Sequence, residues 1–219
     1  MSAPLRISLL DLGIGNLRSV ERALVEAATI AGVSAEVRVT STAADVAAAD
    51  RVVMPGQGAF RDGSRMLAGA LGDAVRRSIS RGTPYLGICL GLQLLFAASD
   101  EAPGAPGLGV FAGTSVRLSP GVGGSRVKIP HMGWNEIALL PGAPRALVDA
   151  SRTSPWFSFV HSFHAVPEDR SLVVATCGHG DNTVTAAIAR GNVLATQFHP
   201  EKSQRAGLEL LASWLAETR

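Results

Sequence analysis

Along the first half of the chain, runs of β-branched and aliphatic residues at 5–10, 35–39, 51–54 and 85–88 alternate with helix-like stretches at 17–31, 43–48, 67–80 and 90–98. A strand followed by a helix before the next strand returns parallel to its predecessor. The rhythm therefore predicts an α/β fold with a mostly parallel central sheet and helices on both faces. The unbroken run Tyr85, Leu86, Gly87, Ile88 suits a central strand buried on both sides, with Pro84 just outside its ladder. Glycine and proline thicken over residues 103–124. Beyond them the strand candidates are 125–129, 135–139, 156–160, 171–176, 183–189 and 193–198, and an antiparallel C-terminal portion is expected. Ser203 is placed to cap a closing helix whose apolar positions Ala206, Leu210, Leu211, Trp214 and Leu215 follow a helical period. With 219 residues and no repeat or linker, a single domain spanning 1–219 is expected.

Composition excludes several classes. Hydrophobic residues make up 47% and charged residues 17%, far from the profile of a disordered chain. No apolar run reaches the roughly 18–20 residues of a bilayer span, and the stretch from Ile7 is cut by Asp11. The 20 basic and 18 acidic residues are scattered and leave a net charge of +2, so no nucleic-acid footprint is present. Cys89 and Cys177 are too few for a disulfide framework or a thiolate zinc site, which implies reduced thiols in a soluble, cytoplasmic protein. His161 and His164 have no third ligand at a recognisable spacing, so neither metal nor other cofactor is expected.

Gly87-Ile88-Cys89-Leu90-Gly91 sets a cysteine between a buried strand and a helix, with glycine two positions to either side. That is the pattern of a nucleophile elbow, a turn so sharp that side chains at the flanking positions would strike the neighbouring strand and helix. The helix start beneath the thiol favours thiolate. A simply buried cysteine is the plainer alternative. A nucleophilic thiol needs a base, and His199 in Gln197-Phe198-His199-Pro200-Glu201 has the best setting. Pro200 keeps His199 extended, and in extended chain residues two apart project to one side, so Glu201 can orient the imidazole. Alone, this segment also reads as a loop histidine. Pro55-Gly56-Gln57-Gly58 follows a strand at the same sheet edge; the N–H groups of Gln57 and Leu90 are candidates for an oxyanion hole, and an ordinary glycine-rich turn is the alternative.

Together these segments resemble the class I glutamine amidotransferases, with Cys, His and Glu in this chain order, and the resemblance covers most of the chain. Asp11-Leu12-Gly13-Ile14-Gly15-Asn16-Leu17, His131-Met132-Gly133-Trp134-Asn135, Phe159-Val160-His161-Ser162-Phe163 and His199-Pro200-Glu201-Lys202-Ser203 resemble the glutaminase subunits of imidazole glycerol phosphate synthases. The resemblance implies hydrolysis of L-glutamine to glutamate and ammonia through a γ-glutamyl thioester on Cys89. The ammonia would pass to a (β/α)8-barrel cyclase partner in a heterodimer, which makes imidazole glycerol phosphate and AICAR in histidine biosynthesis. It also implies that Gln93, His161, Ser162 and Phe163, with the loop glycines Gly56 and Gly58, lie on the substrate, and that Asn16, Arg18, Trp134, Asn135 and Lys202 lie towards the partner. Two positions depart from the usual pattern: Gln57 stands where valine is common, and Leu12 where tyrosine is common. Two alternatives stand beside this expectation. One is a glutaminase subunit of another amidotransferase, such as the anthranilate type; the other is a catalytically silent binding subunit.

Overall fold

The computed structural model describes residues 3–123 and 126–217. The first five elements follow the alternation closely: β1 (Leu5–Leu10), α1 (Leu17–Ala31), β2 (Ala35–Thr40), α2 (Ala43–Ala48) and β3 (Arg51–Gly56). After them come α3 (Phe60–Met66), α4 (Ala70–Ser80), β4 (Tyr85–Cys89), α5 (Leu90–Gln93), β5 (Phe96–Ser99) and β6 (Phe111–Arg117). The remainder comprises β7 (His131–Glu136), β8 (Ala138–Leu139), α6 (Arg145–Thr153), β9 (Trp156–His161), β10 (Phe163–Pro167), β11 (Val173–His179), β12 (Asn182–Arg190), β13 (Val193–Thr196) and α7 (Gln204–Ala216).

The main sheet has eight strands in the order β2-β1-β3-β4-β13-β12-β11-β8. Its first five strands are mutually parallel and the remaining pairs antiparallel. β13 thus belongs to both halves, running parallel to β4 and antiparallel to β12. Every residue of β3 and β4 is buried, as expected for strands covered on both faces. The two-residue period sorts their side chains. Val53, Leu86 and Ile88 join the core under α1, α6 and α7, while Val52, Met54 and Tyr85 join the core under α2 and α4. Leu12 is buried in the second core. A three-stranded sheet, β10-β6-β5, and a two-stranded one, β7-β9, complete the architecture.

Five expectations need correction. The strand read over 135–139 is divided between two sheets, β7 ending at Glu136 and β8 holding Ala138–Leu139. The helix read over 67–80 begins only at Ala70, because Gly69, at φ +79°, separates it from an earlier helix, α3, that ends at Met66. The helix read over 90–98 ends after one turn at Gln93, and Phe96–Ser99 is a strand paired with β6; a short, fully apolar run does not distinguish the two states. The strand read over 125–129 is absent at residues 126–129, where the Val127 N–H turns to Pro120 O at 2.9 Å, and Ser125 lies outside the described residues. Finally, Ser203 occupies the cap position of α7 but does not cap it: its Oγ donates to His199 O at 2.7 Å and accepts from Ser158 N at 3.0 Å. Among the described residues no helix is long and apolar enough to cross a membrane.

α7 presses directly on the turn after β13. A β-carbon on Gly207 would lie 1.8 Å from Pro200 O, so only glycine lets the helix approach this closely. Overpacking of this kind costs about 1–3 kcal/mol, and a chain of this length loses about 2–4 °C per kcal/mol. Gly207→Ala is therefore expected to lower the thermal unfolding midpoint by roughly 5 °C, measured by circular dichroism; an unchanged midpoint would contradict the contact.

Candidate functional site

The sheet topology brings three chain segments to one edge. β3, β4 and β13 are adjacent and parallel, with Gly56 opposite Cys89 and Thr196 opposite Ile88, so the residues after each strand emerge side by side at the carboxyl edge. At the centre stands Cys89, with φ 54° and ψ −106°, a conformation that costs a non-glycine residue about 1–3 kcal/mol. The flanking glycines make that turn possible. A β-carbon on Gly91 would fall 1.8 Å from Met54 O, and one on Gly87 would fall 2.8 Å from Gly91 O. The glycine-rich segment after β1 backs onto the loop after β3: Gly15 packs against the Gln57 nitrogen and Gly58 against Ile14.

His199 is fixed from three sides. Its backbone N–H donates to Ser158 O at 2.9 Å, its carbonyl accepts the Ser203 hydroxyl, and its Nδ1 lies 2.8 Å from Glu201 Oε1. The backbone at His199 is extended, φ −101° and ψ 96°, as Pro200 requires. Both ion-pair side chains are only 1% exposed. Carboxylate at Nδ1 leaves Nε2 as the ring nitrogen able to take a proton, and Nε2 is buried without a hydrogen-bond partner. Burial lowers the imidazole's basicity; the charge on Cys89, then the contact with Glu201, outweigh it and raise the pKa above its ordinary value. Gln57 reaches the same ring, its Nε2 3.4 Å from Nδ1.

A cavity of about 390 Å³ opens over the sulfur, lined among others by Gln57, Gly58, Cys89, Leu90, Gln93 and Glu101. His161, Ser162 and Phe163 form the opposite wall and Lys202 the rim. Gly56 lies behind the wall, packed on Leu90, where a β-carbon would come within 2.7 Å. Of the residues assigned to the partner, Lys202 lines the cavity. Asn16 is exposed and caps α1 through Ser19 N, Arg18 is exposed, and Trp134 is 47% exposed on β7 beside Met132, 69% exposed. Two polar residues at the site went unassigned in the sequence. Glu101 meets the cavity while accepting Phe60 N at 3.0 Å, and Gln197 is fully buried against the sulfur. For Gln197 a signal was available: it lies two residues before His199 on extended chain and shares its side.

Behind the cavity wall runs a directional line of hydrogen bonds. His161 and His131 face each other across the β7-β9 pair, with His131 Nδ1 2.9 Å from His161 Nε2. His161 Nδ1 lies 2.9 Å from Phe163 O, which can only accept, so Nδ1 carries the hydrogen and Nε2 accepts from His131. His131 Nε2 in turn accepts from Asn135, whose amide is fixed by donating to Gly178 O at 2.7 Å and accepting Glu136 N at 2.8 Å. Each imidazole is thereby required to be neutral. Burial pushes His161 down to about 3 and His131 down to about 4, and neighbouring histidines add to both shifts. Burial, with Arg170 nearby, likewise lowers His164 to about 4. Cys177 is raised by burial to about 12, which makes it an inert core thiol. Among the described residues no group of three potential ligands gathers for a metal.

The sequence model of the glutamine amidotransferase class-I family matches residues 8–217. The chain belongs to that family. Curated relatives narrow the kinship: a protein of Thermosynechococcus vestitus named imidazole glycerol phosphate synthase subunit HisH is 47% identical, over 99% of this chain and 98% of its own length. One of the same name from Syntrophotalea carbinolica is 45% identical, over 95% of this chain and 98% of its own. Among solved structures, PurLQS from Thermotoga maritima superposes with a TM-score of 0.70 at 18% identity, covering 97% of this chain and 98% of that one. The glutaminase domain of Trypanosoma brucei CTPS with bound acivicin gives 0.67 at 14% identity, covering 97% and 92%. At these identities the structural likenesses bear on the fold, which is that of the class I glutamine amidotransferases.

The neutral histidines set the acid stability of the site. His161 titrates near 6.5 when unfolded and about 3 when folded, so between those values unfolding takes up its proton and stability falls as pH falls. The proton uptake on unfolding, read from the slope of urea-unfolding free energy against pH near pH 5, is expected to drop by about one in His161→Gln. An unchanged slope would show that His161 is protonated in the folded protein.

Proposed function

We propose that this chain is the glutaminase subunit of an imidazole glycerol phosphate synthase, with Cys89 as nucleophile, His199 as acid and base, and Glu201 as the group that orients His199. The observation that carries the chemistry is Cys89 on a cavity sized for a small molecule, with the buried His199–Glu201 pair following the neighbouring parallel strand. In the first half-reaction the Cys89 sulfur attacks the side-chain carboxamide carbon of L-glutamine. The C–S bond forms, the C–N bond breaks, and His199 gives its proton to the departing ammonia. In the second, water attacks the thioester carbon, His199 takes the proton, and the C–S bonding pair returns to sulfur, releasing glutamate. The N–H groups of Gln57 and Leu90 would receive the oxyanion in both steps.

Specificity for an amino acid finds support in the pair of opposite charges at the cavity. Glu101 and Lys202 match the ammonium and carboxylate of a zwitterion, while Gln93, His161, Ser162, Phe163 and Gly58 shape the space between and Gly56 seats Leu90 behind them. The destination of the ammonia rests on the relatives' names: a (β/α)8-barrel cyclase subunit, docked over the face bearing Asn16, Arg18, Trp134, Asn135 and Lys202. Residues 1–219 act as one glutaminase domain, without cofactor, in the cytoplasm, where the free thiols Cys89 and Cys177 remain reduced.

Glutamate release from L-glutamine, assayed for the chain alone, with the cyclase, and with cyclase plus its nucleotide ligand, tests both halves of this proposal. Release is expected to be slow alone, strongly stimulated in the full system, and reduced about a thousandfold or more by Cys89→Ala. Equal rates with and without the cyclase would refute the partnership, and activity surviving in Cys89→Ala would refute the nucleophile.

A further inference from the structure

Gln197 is a polar side chain with no access to solvent, and both ends of its amide are in use. Its Oε1 accepts from Gln93 Nε2 at 3.1 Å, and its Nε2 donates to Cys89 Sγ at 3.4 Å. The orientation of the amide is forced by its neighbours. Phe163 O can only accept, so Gln93 must present its nitrogen there, at 2.9 Å, and the second hydrogen of that nitrogen then points at Gln197. An amide nitrogen in that place would set donor against donor, so Gln197 presents its oxygen to Gln93 and its nitrogen to the sulfur.

We propose that Gln197 is a further catalytic residue of the Cys89 centre, an N–H donor that holds the sulfur at the cavity and stabilises negative charge on it. The contact strengthens whenever sulfur carries charge, since a hydrogen bond to an ion is about twice as strong as one between neutral groups. That occurs twice in each turnover: as the thiolate attacks the carboxamide carbon, and as it is expelled from the thioester when water adds. Gln197 exchanges no proton in either step; His199 does so. The role also accounts for burying an amide in the core, where it brings no apolar gain and each unmet hydrogen bond would cost about 1–3 kcal/mol. Gln93 becomes its positioning residue, spending both Nε2 hydrogens inside the protein and keeping Oε1 for the substrate.

The identity of the carbonyl substrate rests on the glutaminase proposal, but the contact with sulfur does not, and the test separates them. Gln197→Met has similar length and no donor. In the parent and this variant, alkylation of Cys89 by iodoacetamide is followed by intact mass at fixed neutral pH without glutamine; Cys89 lines the cavity, whereas Cys177 lies in the core away from it. Alkylation is expected to slow about tenfold, with a similar fall in kcat for glutamate release in the cyclase complex and KM within about twofold of the parent. Alkylation within twofold of the parent, in a variant that keeps its melting transition, would overturn the proposal. Should Gln197→Met fail to fold, the side-chain amide protons of Gln197, assigned by NMR in the folded parent, are compared before and after alkylation. A shift at Gln197 supports the contact and an unmoved resonance overturns it. A parent that alkylates readily yet releases no glutamate in any assay would sink the glutaminase proposal alone.

Discussion

There is no space for a β-carbon at residue 91. The Met54 carbonyl oxygen occupies it, and this approach of α5 to β3 is the constraint from which the site is built. With the helix seated so close, Leu90 lies against Gly56, the loop carrying Gln57 comes beside the start of α5, and Cys89 is forced into its left-handed turn. Burial of β3 and β4 on both faces makes the seat rigid, because neither strand can move without disturbing both cores. The nucleophile's position is therefore a property of the sheet rather than of a loop.

A second, smaller sheet completes what the first begins. β9 supplies Ser158, which anchors His199 through its carbonyl, and ends at His161, which holds Phe163 in place for Gln93. Its partner β7 supplies His131 and Asn135, so the polar line from Gly178 to Phe163 crosses the pair at a single register position. Cavity wall and base are thus supported by one ribbon whose outer face carries Met132 and Trp134.

The parts of this arrangement that were legible in the sequence are those governed by local rules. Strands β1, β3 and β4 and helices α1 and α2 announce themselves by period and by the glycines and prolines between them. The elbow is written in Gly87 and Gly91, and the His199–Glu201 pair in the extended backbone that Pro200 enforces. What escaped depends on contacts distant in sequence. The side on which Gln197 projects follows from His199, but its contact with Cys89, 108 positions away, does not, and His131 is an ordinary polar residue until its partner 30 positions away is known. β5 hides in an apolar run that suits a helix equally well, and β6 in a stretch rich in glycine, where Gly113 is required because Val166 O would lie 2.5 Å from a β-carbon. Ser203 misled for the same reason: its hydroxyl matches a helix cap, yet tertiary structure recruits it to tie β9 to His199.

The left-handed conformation of Cys89 has a thermal consequence. A residue held against its preference relaxes as soon as its surroundings loosen, and the relaxation requires only that α5 lift slightly from Met54, far less than unfolding of the sheet. On gradual heating the sulfur would leave its alignment with His199 and Gln197 while both cores are still packed. Activity is therefore expected to be lost at a lower temperature than the circular-dichroism signal.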